Sequence, residues 1–194
     1  MMALLDWIAA DTELRLEGAG VRLRPHRSGD FAEWARVREA SRDFLQPWEP
    51  TWPADDLTRG AYRRRLGAYA QDMERGVAYP FLVFRRDDNA LMGGVTLSNI
   101  RRGVAQMGSV GYWIGRPFTR RGHTLDAVRA VTAFAFDRLR LHRVEAACIP
   151  TNEASRGVLA KAGFEHEGMA RDYLKINGVW RDHLLFGLVA SGQG

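Results

Sequence analysis

GYWIGRPFTRRGHTLDAVRAVTAFAF, residues 111–136, decides how the rest of the chain is read. It opens as the end of a strand at Ile114, passes through a basic loop holding Pro117, and enters a long helix at about Gly122. That helix reads from Arg121 to Leu139, with Leu125, Val128, Val131, Ala135 and Leu139 on one face. A loop that feeds a helix start presents unpaired backbone N–H groups and the positive end of the helix dipole. Such a place binds phosphate; Arg120 and Arg121 add charge, and Gly122 lets an anion approach the backbone. An ordinary basic loop before a core helix has the same pattern, so the residues alone leave both readings open.

Working outward, the apolar period changes along the chain. Val21–Pro25 alternates as a strand, and a helix is expected from Asp30 to about Leu45, capped by Ser28 or Asp30, with Phe31, Trp34, Val37 and Arg38 at helical spacing. The Pro-rich QPWEPTWPADD, from Gln46, cannot be regular helix; a second helix follows from about Asp56 to Arg75, ended by Gly76. Tyr79–Arg85 and Leu91–Ile100 read as a hairpin, followed by a strand over Ala105–Ile114. Beyond the central helix come a buried-type strand from Arg143, a helix over Glu153–Ala162 stopped by Gly163, and a hairpin. The hairpin's strands are Asp172–Ile176 and Trp180–Val189, joined through Asn177-Gly178. The fold class is therefore mixed α/β, with a mostly antiparallel twisted sheet flanked by helices.

Composition bounds the function. At 194 residues with 46% hydrophobic and 26% charged residues, the chain is an ordinary globular one, and wholesale disorder is excluded. No apolar run reaches the ~20 residues of a membrane span, and the acidic start does not resemble a secretory signal. Cys148 is the single cysteine, so neither a disulfide framework nor a CxxC metal site exists, and no metal is expected. The expected location is the cytoplasm. The net charge is +5, and only Lys161 and Lys175 among the 28 basic residues are lysines. An arginine surplus follows either from genome composition or from an anionic partner, and charge alone does not separate the two.

The residues themselves carry a resemblance. Thr119-Arg120-Arg121-Gly122-His123-Thr124 resembles motif A of the GNAT superfamily of N-acetyltransferases, Q/R-x-x-G-x-G/A, whose amides hold the coenzyme A pyrophosphate. The central glycine matches; Thr119 and Thr124 depart from the pattern. TNEASRGVLAKAGFEHEG, from Thr151, is similar to the family's next block, with Asn152 and then Ser155 ahead of a helix ending in K-x-G-F. SRDFLQPWEPTWP and RDYLKINGVWRDHLLFGL resemble the branch that acetylates ribosomal-protein N-termini, the Rim type. The likeness covers nearly the whole chain. It implies one GNAT-like domain over 14–190, with an arm or short helix over 1–13.

What the resemblance implies is an acetyl-CoA-dependent enzyme in which the fourth and fifth strands splay apart and the pantetheine arm fills the gap. Trp113, Ile114, Thr119, Arg120, Arg121, Gly122, His123, Thr124, Asn152 and Ser155 are then the expected cofactor contacts. Asn152 and Ser155 are equally suited to cap their helix. Acetyl transfer needs a neutral amine, a polarised carbonyl and a protonated leaving thiolate. Ser155 is the expected thiolate acid, with Tyr173 as alternate, and Glu49 or Asp172 the expected base. His26 and His183 are candidate relays, and Cys148 is read as core. Trp48 and Trp52 either wall the acceptor or pin their loop. Arg63, Arg64 and Arg65 form a solvated face or hold an acceptor near ribosomal RNA. The expected acceptor is a protein N-terminus, possibly ribosomal; the alternatives are a small-molecule amine and a non-catalytic acyl-CoA or RNA-binding module. The +5 points to one phosphorylated cofactor rather than to nucleic acid in general, and a monomer or homodimer is expected.

Overall fold

Alternation makes strands wherever one face meets a core, and Val21–Pro25 (β2) buries Val21, Leu23 and Pro25 in turn. The computed structural model describes residues 14–190, so the expected arm over 1–13 lies outside the described residues. A short strand, Leu16–Glu17 (β1), precedes β2 and pairs with it. Then follow Tyr79–Arg85 (β3), Leu91–Arg101 (β4), Met107–Ile114 (β5), Arg143–Cys148 (β6), Glu165–Ile176 (β7) and Val179–Val189 (β8). They form one eight-stranded sheet in the order β1-β2-β3-β4-β5-β6-β8-β7. Every pairing is antiparallel except β5 with β6, which a helical crossover makes parallel.

The helices cover both faces. Phe31–Glu39 (α1) and Arg59–Glu74 (α3) shelter a cluster of Trp34, Val37, Tyr62, Leu82, Phe84 and Leu91. His123–Ala133 (α4) and Glu153–Lys161 (α5) cover the opposite face, where Phe81, Val83, Val95, Val128, Val131 and Leu159 are buried. Burying each such side chain is worth about 1.5–3 kcal/mol. Leu82 and Phe84 face one cluster and Phe81 and Val83 the other, the period of two expected of a strand covered on both sides.

Several expected boundaries move for tertiary reasons. The helix expected over Asp30–Leu45 breaks at Ala40 and Ser41 into α1 and Arg42–Leu45 (α2), and the Ser41 hydroxyl accepts the Arg116 N–H at 3.0 Å. Neither expected cap acts: Ser28 lies inside a 3-10 turn, and the Asp30 carboxylate accepts from the Arg27 N–H and the Arg24 guanidinium instead. α3 starts at Arg59 rather than Asp56, because the Thr58 hydroxyl caps it by accepting from Ala61 N–H, while Asp56 pairs with Arg65 at 2.6 Å. The central helix continues past Ala133 as a wider π turn over Phe134–Arg138. β7 begins at Glu165, well before Asp172: Gly168 and two register shifts break the alternation that would have announced it.

Candidate active site

β5 and β6 pair only from Met107–Ser109 to Arg143–Glu145 and then part. In the antiparallel ladder with β4, Gly115 N–H donates to Met92 O at 2.8 Å, so alternation turns Trp113 and Gly111 toward β4. Val110, Tyr112 and Ile114 therefore direct their backbone N–H and C=O groups into the gap, where β6 offers no pairing. The gap opens into a cavity of about 670 Å³. Val110–Ile114, Ala146–Ile149 and the start of α5 line one part of it; Phe44, Leu45, Trp48–Pro50 and Leu174–Ile176 with His183 line the other.

At the far end of β5 the chain turns through a short 3-10 segment, Arg116–Phe118, into the loop before α4. Arg120 and Gly122 take left-handed backbone angles, φ 60° and 83°, and Gly122 is the N-cap of α4. A Cβ at Gly122 would meet nothing within 4 Å, so the backbone stands open above it. Among the described residues, the N–H groups of His123, Thr124 and Leu125 have no hydrogen-bond acceptor; the first helical bond runs from Asp126 N–H to Gly122 O. Arg116, Arg120 and Arg121 make no ion pair among the described residues. Open backbone, unused donors and free guanidinium groups together fit a pyrophosphate, and the half-unpaired gap beside them fits an amide-bearing chain.

Tyr112 and Ser155 meet across the gap, their hydroxyl oxygens 2.8 Å apart. Asn152 caps α5 by accepting the Ser155 N–H at 3.0 Å, which fixes where the serine sits. Burial pushes Tyr112 up to about 12, so it remains a neutral phenol. Burial also pushes the Cys148 thiol up, in keeping with a core residue and not a nucleophile.

The expected site residues divide. Trp113, Ile114, Thr124, Asn152, Ser155 and Glu49 line the cavity. Thr119, Arg120, Arg121, Gly122 and His123 form the loop and helix start beside it. The His123 ring packs against Gly20 in the β1–β2 turn, leaving its backbone rather than its side chain for an anion. Asp172 and Tyr173 do not line the cavity. They lie in the bulge where β7 loses register with β8, with Asp172 at φ 44° and its N–H donated to Asp182. His26 sits apart from the cavity too, against Tyr62 and Tyr69.

Glu49 is already engaged. Its oxygens accept from Arg38 at 2.9 and 2.7 Å and from Trp52 Nε1 at 2.7 Å. Arg38 in turn stacks between Trp52 and Trp113, 4.0 and 4.9 Å from their ring centres. The Trp113 indole reaches that side because β4 carries glycine opposite it: a Cβ on Gly94 would lie 2.5 Å from Nε1. Glu49 O also accepts the Asn177 N–H at 2.9 Å, tying the β7–β8 turn to this loop. Arg64 and Arg65 are paired with Asp55 and Asp56, so two of the three successive arginines have partners within the chain. Tyr112 and the Arg38 latch are what the sequence reading missed; only the position of Tyr112 on the splayed strand hinted at the first.

Comparison with known proteins follows the same lines. The family model described as "Acetyltransferase (GNAT) domain" matches residues 21–165. "Probable N-acetyltransferase YjcK" of Bacillus subtilis (strain 168) is 36% identical over 90% of this chain and 96% of its own length. The [Ribosomal protein uS5]-alanine N-acetyltransferase of Escherichia coli (strain K12) is 35% identical over 76% of each chain. The solved structure of Mycobacterium smegmatis RimJ in complex with CoA-disulfide superposes with a TM-score of 0.85 at 33% identity, over 93% of this chain and 88% of that one. No helix among the described residues is long and apolar enough to cross a membrane, and no cluster of metal-ligating side chains occurs among them.

Proposed function

The chain belongs to the GNAT family of acetyltransferases, enzymes that use acetyl-CoA, and from that footing we propose that it acetylates the N-terminal α-amine of a protein, ribosomal proteins foremost. The observation that carries the acceptor is the cavity wall opposite the β5–β6 gap. Trp48, Glu49 and Pro50 on one loop and Leu174–Ile176 on a hairpin strand frame it, joined through Asn177 and Glu49. A largely apolar frame carrying Glu49 and Lys175 suits a chain end bearing one amine, and the Escherichia coli relative is named as an alanine N-acetyltransferase of ribosomal protein uS5.

Acetyl-CoA brings an activated acetyl thioester, whose C–S bond breaks as the amine nitrogen bonds to the carbonyl carbon. The chain's residues do the rest. The amides of His123, Thr124 and Leu125, with Arg116, Arg120 and Arg121, would hold the pyrophosphate. Backbone groups of Val110, Tyr112 and Ile114 would pair with the pantetheine amides, and an N–H among them would polarise the carbonyl. Ser155 would give the departing sulfur its proton and draw another from Tyr112, a neutral donor at every physiological pH. One folding unit over 14–190 would carry the whole reaction.

The test is an acceptor screen that follows CoA thiol release with Ala- and Ser-starting peptides beside free amino acids, polyamines and aminoglycosides. Turnover on the peptides supports the proposal. Turnover on free amines alone would replace the acceptor with a small molecule.

A further inference from the structure

We propose that His183 is the general base that takes the proton from the acceptor ammonium. It is 3% exposed yet lines the cavity, facing the same space as Ser155 and Tyr112. Its Nδ1 lies 2.9 Å from the Arg181 carbonyl oxygen. A carbonyl only accepts, so Nδ1 carries the hydrogen, and Nε2 of the neutral ring is left with a lone pair. The Tyr173 ring, edge-on at 5.7 Å, holds the imidazole plane.

The other titratable groups facing this cavity are unsuited to the task. From the loop, Glu49 is spent on Arg38 and Trp52. Tyr112 of β5 is a phenol pushed up to about 12, and Cys148 of β6 is a buried thiol pushed up. Glu153 of α5 stands exposed to water, and Lys175 of β7 is a cation. Flanking His183 on its own strand, Arg181 is exposed and Asp182 accepts from Asp172 N–H. His183 is left with an unclaimed lone pair.

The proton count closes. His183 Nε2 takes one proton from R–NH₃⁺ and passes it to solvent. The amine lone pair forms the N–C bond as the C–S bond breaks. The second proton, released by nitrogen after attack, restores the one that the Tyr112–Ser155 pair delivers to the thiolate. Products are R–NH–COCH₃, CoA–SH and one free proton.

The inference rests on reading this cavity as the acceptor site. His183→Asn keeps an N–H donor for the Arg181 carbonyl and removes the Nε2 lone pair, so a purely structural role would survive it. The expected result is a loss of about 10²-fold or more in kcat/KM for an Ala-starting peptide, with the acetyl-CoA Kd by calorimetry within about twofold and an inflection of the wild-type pH profile gone. Should His183→Asn lose acetyl-CoA binding, His183→Gln is compared in the same way. Activity within threefold of wild type, with the profile intact, overturns the assignment. If only free amines turn over, the peptide acceptor is lost, and the same comparison on that amine still decides His183.

Discussion

The hydroxyls of Tyr112 and Ser155 stand 2.8 Å apart, one on the strand that parts from β6 while still paired with β4 and one on the first turn of the helix that follows the next strand. Their bond spans the gap where β5 and β6 stop pairing, and replaces a strand-to-strand contact with a side-chain one. Asn152 fixes the serine from below through its N–H, so the serine hydroxyl is free for Tyr112 and for a ligand. A helix cap and the proposed proton donor thus come from neighbouring residues of one turn.

Tyr112→Phe should separate structure from chemistry at this pair. The loss of one buried hydrogen bond costs roughly 0.5–1.5 kcal/mol of stability. Removal of the proton reserve behind Ser155 should lower kcat by about ten- to a hundredfold while leaving the acetyl-CoA Kd nearly unchanged. Calorimetric titration and steady-state kinetics on one preparation check it; an unaltered kcat would take Tyr112 out of the chemistry.

His26 gives the fold an acid sensitivity of its own. Burial, aided by Arg65 and Arg24 and opposed by Asp30, pushes the imidazole down from its usual 6.5 to about 3. The folded state thus holds it neutral while the unfolded chain binds a proton below 6.5. The stability it contributes is present above that pH and is lost as pH falls toward 3. His26→Phe, which fills the aromatic niche without titrating, should show a shallower loss of urea-unfolding stability between pH 6.5 and 4 than wild type. Parallel curves would show that other groups dominate.

Much of this was legible in the sequence, and the exceptions share a cause. β3, the β7–β8 turn at Asn177-Gly178 and the body of α4 follow from local period and turn chemistry, which the surrounding structure leaves undisturbed. Gly122 was legible as well, as the residue that lets an anion approach the backbone and as the glycine of the motif that the chain resembles. What escaped depends on partners distant in sequence. Tyr112 acquires its role from Ser155, 43 residues away. Arg38, spaced like a core residue on α1, acquires its role from Glu49, Trp52 and Trp113. Asp172 looked like a cleft carboxylate because it precedes a tyrosine on a strand; the bulge at Ala170–Leu174 shifts the register and carries it out of the cavity wall.

Gly122→Val tests the anion cradle. At φ 83° an L-residue is strained, and although no protein atom blocks a side chain, the open space it would fill is the approach to the α4 amides. Acetyl-CoA binding should weaken by about 1–3 kcal/mol, while acetyl-pantetheine, which lacks the pyrophosphate, should bind wild type and variant alike. An unchanged acetyl-CoA Kd would place the phosphates elsewhere.

The Arg38–Glu49 pair joins the loop before α3 to Trp113 on β5, and both line the cavity, so its removal should be felt in stability and, on the proposed reading, in substrate binding. Arg38 is 8% exposed and its guanidinium is held by two carboxylate oxygens and two indole faces. Arg38→Met strands Glu49, whose remaining side-chain donor is Trp52, and breaking a buried pair from one side costs roughly 3–5 kcal/mol. The 18% exposure of the Glu49 side chain puts the expected loss at the lower end of that range. Glu49→Gln strands the arginine in turn. Arg38→Met with Glu49→Gln leaves neither charge behind, so the double variant should be destabilised by less than the two single losses added, with a coupling of about 1–3 kcal/mol. KM for the acceptor peptide should rise in all three variants more than kcat falls, because the latch positions the loop and touches no reacting atom. Urea denaturation and peptide kinetics on the four proteins decide it. Losses that add to within about 0.5 kcal/mol would mean that the loop is held by its prolines and tryptophans alone.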